Sequence, residues 1–132
     1  MKKVLIDSSV WVSLFARDGM FELAEKVLNT ILQNQYMIIL PPLIYVEVIN
    51  ALKRLGKSRS LVDGAKKYIA GLGNVHICST TSDFWINEIS DLDLSEDVKA
   101  SDLIIIAHAI KFRAQLVSFD KKMMSAYNKI TD

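Results

Sequence analysis

Apolar residues come in two arrangements that alternate along this chain. Short unbroken stretches lie at residues 3–7, YMIIL (36–40), VHICS (75–79) and QLVSF (115–119), with the length and β-branched content of buried strands. Between them the apolar positions recur at helical spacing. Residues 21–35, FELAEKVLNTILQNQ, carry a stripe of Phe21, Ala24, Val27, Leu28, Ile31 and Leu32. A shorter helix is predicted over 9–16, capped near Ser8 and stopped by RDG. Pro41 and Pro42 end the second strand. Proline is tolerated in the first helical turn, so 42–56 reads as a helix with Gly56 as its stop. Helices are further predicted over 58–72, 82–92 and 96–112, and a short one after Asp120. The 96–112 segment is apolar nearly all round, the mark of a buried helix.

The resulting order is β-α-α-β-α-α-β-α-α-β-α. Strands apolar on both faces and separated by helices imply a parallel sheet covered on both sides. The expected fold class is α/β, three layers α/β/α around a central parallel sheet of four or five strands, in a single domain over 1–132. In open sheets of this kind ligands bind beyond the carboxyl ends of the strands. Asp7 closes the first strand and Asp120 follows the fourth.

Composition narrows the setting. Hydrophobic residues make up 51% of 132, enough for a substantial core. Cys78 is the one cysteine and has no internal disulfide partner. The start MKKVLIDSSVWVSLFA has the charge order of a signal peptide, but Asp7 interrupts the apolar stretch and no small-x-small cleavage site follows. The apolar runs fall far short of the ~20 residues that span a bilayer. The expectation is a cytoplasmic protein with no membrane partner. Net charge is +1, yet residues 53–67 carry a net +5, residues 83–102 a net −6, and 111–129 is basic again. Taken singly, such runs are solvated helix faces; together they suit a basic surface beside an acidic pocket.

The acids are more informative as a set. Asp7 alone reads first as a helix cap, favourable by ~0.3–1 kcal/mol through the dipole. Glu47 lies between Val46 and Val48 on a helix where Ile44, Asn50, Ala51 and Arg54 share its face. Asp102 sits in the most hydrophobic helix, where an unpartnered ionised carboxylate costs several kcal/mol or takes up a proton. Its bland alternative is a first-turn acid behind a Ser101 cap, and Asp120 reads as a cap too. No lysine or arginine lies within three residues of Asp7 or Asp102 on the C-terminal side. Four converging carboxylates without cations would repel one another, and a hard divalent ion such as Mg²⁺ or Mn²⁺ resolves that.

At LIDSSVW, VEVINAL, ASDLIIIAHA and LVSFD the chain resembles a PIN domain, most closely the VapC-type toxin ribonucleases of toxin–antitoxin pairs. The spacings fit: 40 residues from Asp7 to Glu47, 55 to Asp102 and 18 to Asp120. The resemblance implies that Asp7, Glu47, Asp102 and Asp120 form an acidic quartet that is catalytic and binds Mg²⁺ or Mn²⁺. It implies that Ser9 supports the first acid and that Ser118 precedes the last. Asp97 is a second acid near Asp102. The family's final strand is reduced to KITD or missing. The implied activity is Mg/Mn-dependent endoribonuclease hydrolysis of RNA phosphodiesters, as the toxin of a type II pair. The implied partners are an RNA substrate, a cognate antitoxin docking a helical segment in a hydrophobic groove, and a second copy in a homodimer. VWVSLF and the helix at 21–33 are the expected contact surfaces. Arg54, Lys57 and Arg59, beyond the Glu47 helix, are the candidate RNA-binding rim.

Other chemistries find less support. His76 and Cys78 alternate on one strand and face the same way, but zinc needs three or four such ligands. His108 reads as packing, and Trp11 and Trp85 as core or interface. There is no G-x-S-x-G, no Walker loop and no G-x-G-x-x-G. The alternatives are a non-catalytic RNA- or protein-binding module on the same fold, or a metal phosphohydrolase acting on small phosphates.

Overall fold

The computed structural model describes residues 2–92 and 98–132. In chain order the elements are β1 (Lys3–Ile6), α1 (Ser8–Ala16), α2 (Phe21–Gln33), β2 (Met37–Leu40), α3 (Pro42–Arg54) and α4 (Arg59–Gly71). They continue with β3 (Val75–Ile77), a π-helical turn (Phe84–Ile89), α5 (Ala100–Lys111), β4 (Gln115–Val117) and α6 (Lys121–Thr131). All strand pairs are parallel, in the order β3-β2-β1-β4. Helices flank the sheet in the three-layer arrangement expected from the alternation of apolar runs and stripes.

The central strands are buried on both faces. Leu5 and Ile6 of β1 and Ile38 to Leu40 of β2 are each no more than 1% exposed. Ile44, Val48 and Leu52 of α3 and Ile105 and Ile106 of α5 belong to the same core. Pro42 occupies the first turn of α3. Past the end of that helix the chain turns at Gly56, whose φ of 74° suits a residue without a Cβ. Among the described residues no helix is long and apolar enough to cross a membrane.

The strand order decides where a ligand can sit. The chain steps outward from β1 to β2 to β3, then returns through α5 to place β4 on the other side of β1. A right-handed return puts α5 on the sheet face opposite the first crossovers. The direction of winding therefore reverses between β1 and β4, and the crevice at such a switch point is the ligand site of open α/β sheets. Its lip is formed by Asp7 after β1 and Ser118 after β4, which follow the paired Ile6 and Val117.

Several expectations change. β3 is a short edge strand whose His76 and Ile77 are exposed, because it has a neighbour on one side alone. His76 and Cys78 share no surroundings, since Cys78 is buried beyond the end of β3. The 82–92 helix is wound as a π-helical turn over Phe84–Ile89. KITD does not form a strand; its first three residues complete α6, where Ile130 packs on the core. The sheet has four strands among the described residues. Asp97 lies outside them, and α5 begins at Ala100.

Candidate metal centre

Asp7 occupies the N-cap position of α1 but does not act as a cap: its side chain accepts no hydrogen bond from the helix backbone. It is 5% exposed and turned toward hydroxyls instead. Its Oδ2 accepts from Ser118 Oγ at 2.7 Å and from Ser9 Oγ at 2.8 Å. Ser8 Oγ is 3.5 Å from Oδ1, a long contact that leaves this oxygen's acceptor capacity largely unused. The two supporting serines are fixed in turn. Ser9 Oγ accepts from the Phe119 backbone N–H at 3.1 Å, and Ser118 Oγ from the Asp120 N–H at 3.0 Å. The Asp7 N–H bonds to Val117 O at 2.9 Å, so the ends of β1 and β4 are tied by backbone and side chain together.

This arrangement makes a stability prediction. Ser118→Ala removes one donor from a buried carboxylate, which is expected to cost ~1–3 kcal/mol. Urea denaturation would show the midpoint falling; an unchanged midpoint would mean that Asp7 does not depend on this hydroxyl.

The other three acids come from separate elements. Glu47 is half-buried on the second turn of α3, and its Oε1 is shielded from solvent with no hydrogen-bond partner. Burial raises its pKa first, then the charges of Asp7 and Asp102; the Ser8 hydroxyl pulls the other way. Asp102 is in the first turn of α5, half-buried, with Lys99 at the N-cap position rather than Ser101. Its pKa is also raised, by burial first and then by Asp120 and Asp7, while Lys99 and Lys122 lower it. Asp120 is exposed and caps α6, its Oδ1 accepting from the Met123 N–H at 3.1 Å. The cap expected for Asp7 is thus absent, and the one expected for Asp120 is present and occupies one of its oxygens.

The four carboxylates therefore share one electrostatic neighbourhood at the β1/β4 switch point. Among the described residues, no group of three or more acid, histidine or thiol side chains is placed to hold a metal ion. Mg²⁺ does not need one: it is held through one or two carboxylates and keeps several waters. The donor set consists of carboxylate and hydroxyl oxygens, the chemistry of a hard cation. A buried Glu47 oxygen without a partner, beside Asp7 and Asp102, whose charges raise the Glu47 pKa, fits such an ion.

Two cations and a hydroxyl escaped the sequence reading. Lys99 stands one turn before Asp102, on the N-terminal side, and was visible there. Lys122 is twenty residues from Asp102 in the chain, and only the packing of α6 beside α5 brings its charge near. Ser8 was read as a cap. Arg54, Lys57 and Arg59 lie at and beyond the C-terminal end of α3. α3 runs away from the strand ends, so Arg54 lies about 10 Å along its axis from Glu47 at 1.5 Å per residue. Lys57 Nζ reaches the carbonyl of Ala16 at 3.5 Å, at the far end of α1. Arg59 stands 4.0 Å from Asp63.

The sequence profile of the PIN domain matches residues 4–129. The chain belongs to the PIN-domain family. Solved structures share its fold over nearly the whole length. The VapC20 toxin of Mycobacterium tuberculosis, described as a sarcin–ricin loop cleaving toxin, superposes with a TM-score of 0.71 at 18% identity, covering 93% of this chain and 94% of that one. VapBC2 of Rickettsia felis, solved bound to a DNA fragment from its promoter, gives 0.64 at 17% identity, covering 94% and 92%. No curated protein matches at a significant level. This PIN domain thus has the VapC-type fold, and its Asp7, Glu47, Asp102 and Asp120 lie around the switch point of that fold.

Proposed function

We propose that this PIN domain is a metal-dependent endoribonuclease that hydrolyses RNA phosphodiester bonds, as the toxin of a type II toxin–antitoxin pair. The observation that carries the reading is the partnerless, shielded Oε1 of Glu47 facing acids that raise its pKa. Structural likeness to a toxin described as cleaving a ribosomal RNA loop supports RNA as the substrate class.

Asp7, Glu47, Asp102 and Asp120 would hold Mg²⁺ or Mn²⁺. When bound, such an ion lowers the pKa of a water and stabilises charge on the phosphate oxygens. The chain's own residues prepare the place. Ser9 and Ser118 hold the Asp7 carboxylate through Oδ2 and leave Oδ1 with only the long Ser8 contact. Asp120 keeps its cap on α6 with Oδ1 and has Oδ2 to spare. Lys99 and Lys122, whose charges act on Asp102, join Arg54, Lys57 and Arg59 as candidates to contact RNA phosphates.

The antitoxin and homodimer belong to the same reading. An apolar groove of about 460 Å³ between α1, α2 and α4 is lined by Phe15, Phe21, Leu28, Leu61 and Tyr68, with Arg17 and Glu25 at its edge. Such a groove suits the apolar face of an amphipathic antitoxin helix.

The test is cleavage of a mixed RNA pool by purified protein, with Mn²⁺ and with a chelator. Cleavage in Mn²⁺ alone supports the nuclease. Cleavage that survives the chelator overturns metal dependence. Absence of both cleavage and calorimetric Mg²⁺ or Mn²⁺ binding turns the reading to a non-catalytic binding module.

A further inference from the structure

A second concavity opens beside the switch point, beyond the ends of β2 and β3. It has a volume of about 510 Å³ and is lined by Pro41, Ile77, Ser79, Thr80, Trp85 and His108, among others. It contains no charged side chain. Trp85 is held in place yet open. Its Nε1–H donates to Thr80 Oγ1 at 2.7 Å, and its ring meets the His108 ring edge-on at 5.6 Å and 69°. The residue is nevertheless 41% exposed.

The wall behind it is rigid and neutral. His108 is 1% exposed, its Nδ1 is 2.7 Å from the Ile104 carbonyl, and its ring lies between Phe84 and Phe112. Burial lowers the His108 pKa from its ordinary 6.5, so the ring is uncharged at neutral pH.

We infer that this concavity seats an unpaired base of the RNA, stacked on Trp85 and hydrogen-bonded by the Ser79 and Thr80 hydroxyls. The inference rests on the ribonuclease reading of the acid site. Three features select a base rather than another part of the nucleotide. The absence of charge disfavours a phosphate. A fixed, half-open indole supplies a stacking face without the ordering cost of a mobile one. The hydroxyls can both donate and accept, as base edges require.

Position supplies the connection. The gap between the ends of β3 and β2 lies two strand spacings, roughly 10 Å, from the gap between β1 and β4. Along α5, His108 is six residues from Asp102, about 9 Å by helical rise. Both measures put the concavity within a few nucleotides of the phosphate facing the acids. Pro41 and Pro42 pin the loop that leads from it into the Glu47 helix.

Intrinsic fluorescence reads this site directly. Trp11 is 1% exposed, so quenching by an added oligoribonucleotide reports on Trp85. In chelator, a single-stranded oligoribonucleotide is expected to quench, and an abasic oligomer of equal length is not. Trp85→Ala should weaken RNA binding about tenfold, as for loss of one stacked base, and Trp85→Phe should restore most of it. In Mn²⁺ the loss should fall on KM rather than on kcat. Equal RNA affinity of Trp85→Ala and the parent overturns the inference. So does equal quenching by the abasic oligomer. A drop in solution mass in Trp85→Ala with RNA affinity intact overturns it as well, since a second copy then covers the exposed Ile77 and Ile86 beside it. Protein that is quenched by RNA but cleaves in neither condition loses the nuclease reading and keeps the base site. Protein that cleaves without quenching does the reverse.

Discussion

Replacing Asp102 by asparagine is expected to lower Mn²⁺-dependent RNA cleavage about a thousandfold, the rate equivalent of losing several kcal/mol of charge stabilisation. The same substitution should make the metal-free protein more stable at neutral pH. The two effects have one cause. Asp102 is half-buried, and burial first, then Asp120 and Asp7, raise its pKa above the ordinary 3.8. A carboxylate whose folded-state pKa is raised binds more protons in the native state than in the unfolded one. Its ionisation therefore removes stability as pH climbs from the ordinary value through the raised one. Asparagine ends that loss. It also gives up ~0.3–1 kcal/mol of favourable dipole interaction at the start of α5, which limits the gain. Thermal melts in chelator should place Asp102→Asn a few degrees above the parent at pH 7, and the difference should shrink toward pH 4 as the parent takes up protons. Added Mg²⁺ should raise the parent's midpoint more than the variant's. Wild-type cleavage by Asp102→Asn would sink the nuclease reading, and a lower midpoint in chelator would mean that the carboxylates do not repel at this site.

Leu5→Ala is expected to cost ~2–5 kcal/mol, a large share of the ~5–15 kcal/mol that holds a domain folded. Leu5 is 0% exposed in β1, between Ile39 of β2 and Leu116 of β4. It is covered by a helical layer on each face of the sheet, so little can move in to fill the space. Urea titration should show the midpoint fall with the slope unchanged. A loss below about 1 kcal/mol would contradict the central place of β1, since even modest core truncations exceed that.

The comparison of these two positions shows how far the sequence could be read. Leu5 announced its burial by its neighbours: Val4, Leu5 and Ile6 leave no polar face for water. Asp102 announced only a conflict, an acid in an apolar helix, and the conflict had several solutions. Asp7 had the same ambiguity. Helix capping was the better bet from its position, yet the folded chain directs its carboxylate to Ser9 and Ser118. Ser118 is 111 residues away and could not be weighed as a partner from local sequence. Among the cations, Lys122 is far from Asp102 in the chain, and its charge arrives through the packing of α6 on α5.

Local sequence pattern was enough for the alternation of strands and helices and the parallel three-layer fold, and it singled out the four acids as candidates. Those depend on local periodicity and on residues too apolar or too charged for their surroundings. The tertiary structure decided which strand ends adjoin, that Asp7 is not a cap while Asp120 is, that Glu47 holds an oxygen without a partner, and that Trp85 stands open beside His108. Such facts depend on which residues the crossing from β3 back to β4 brings together, and separation along the chain carries no record of that crossing.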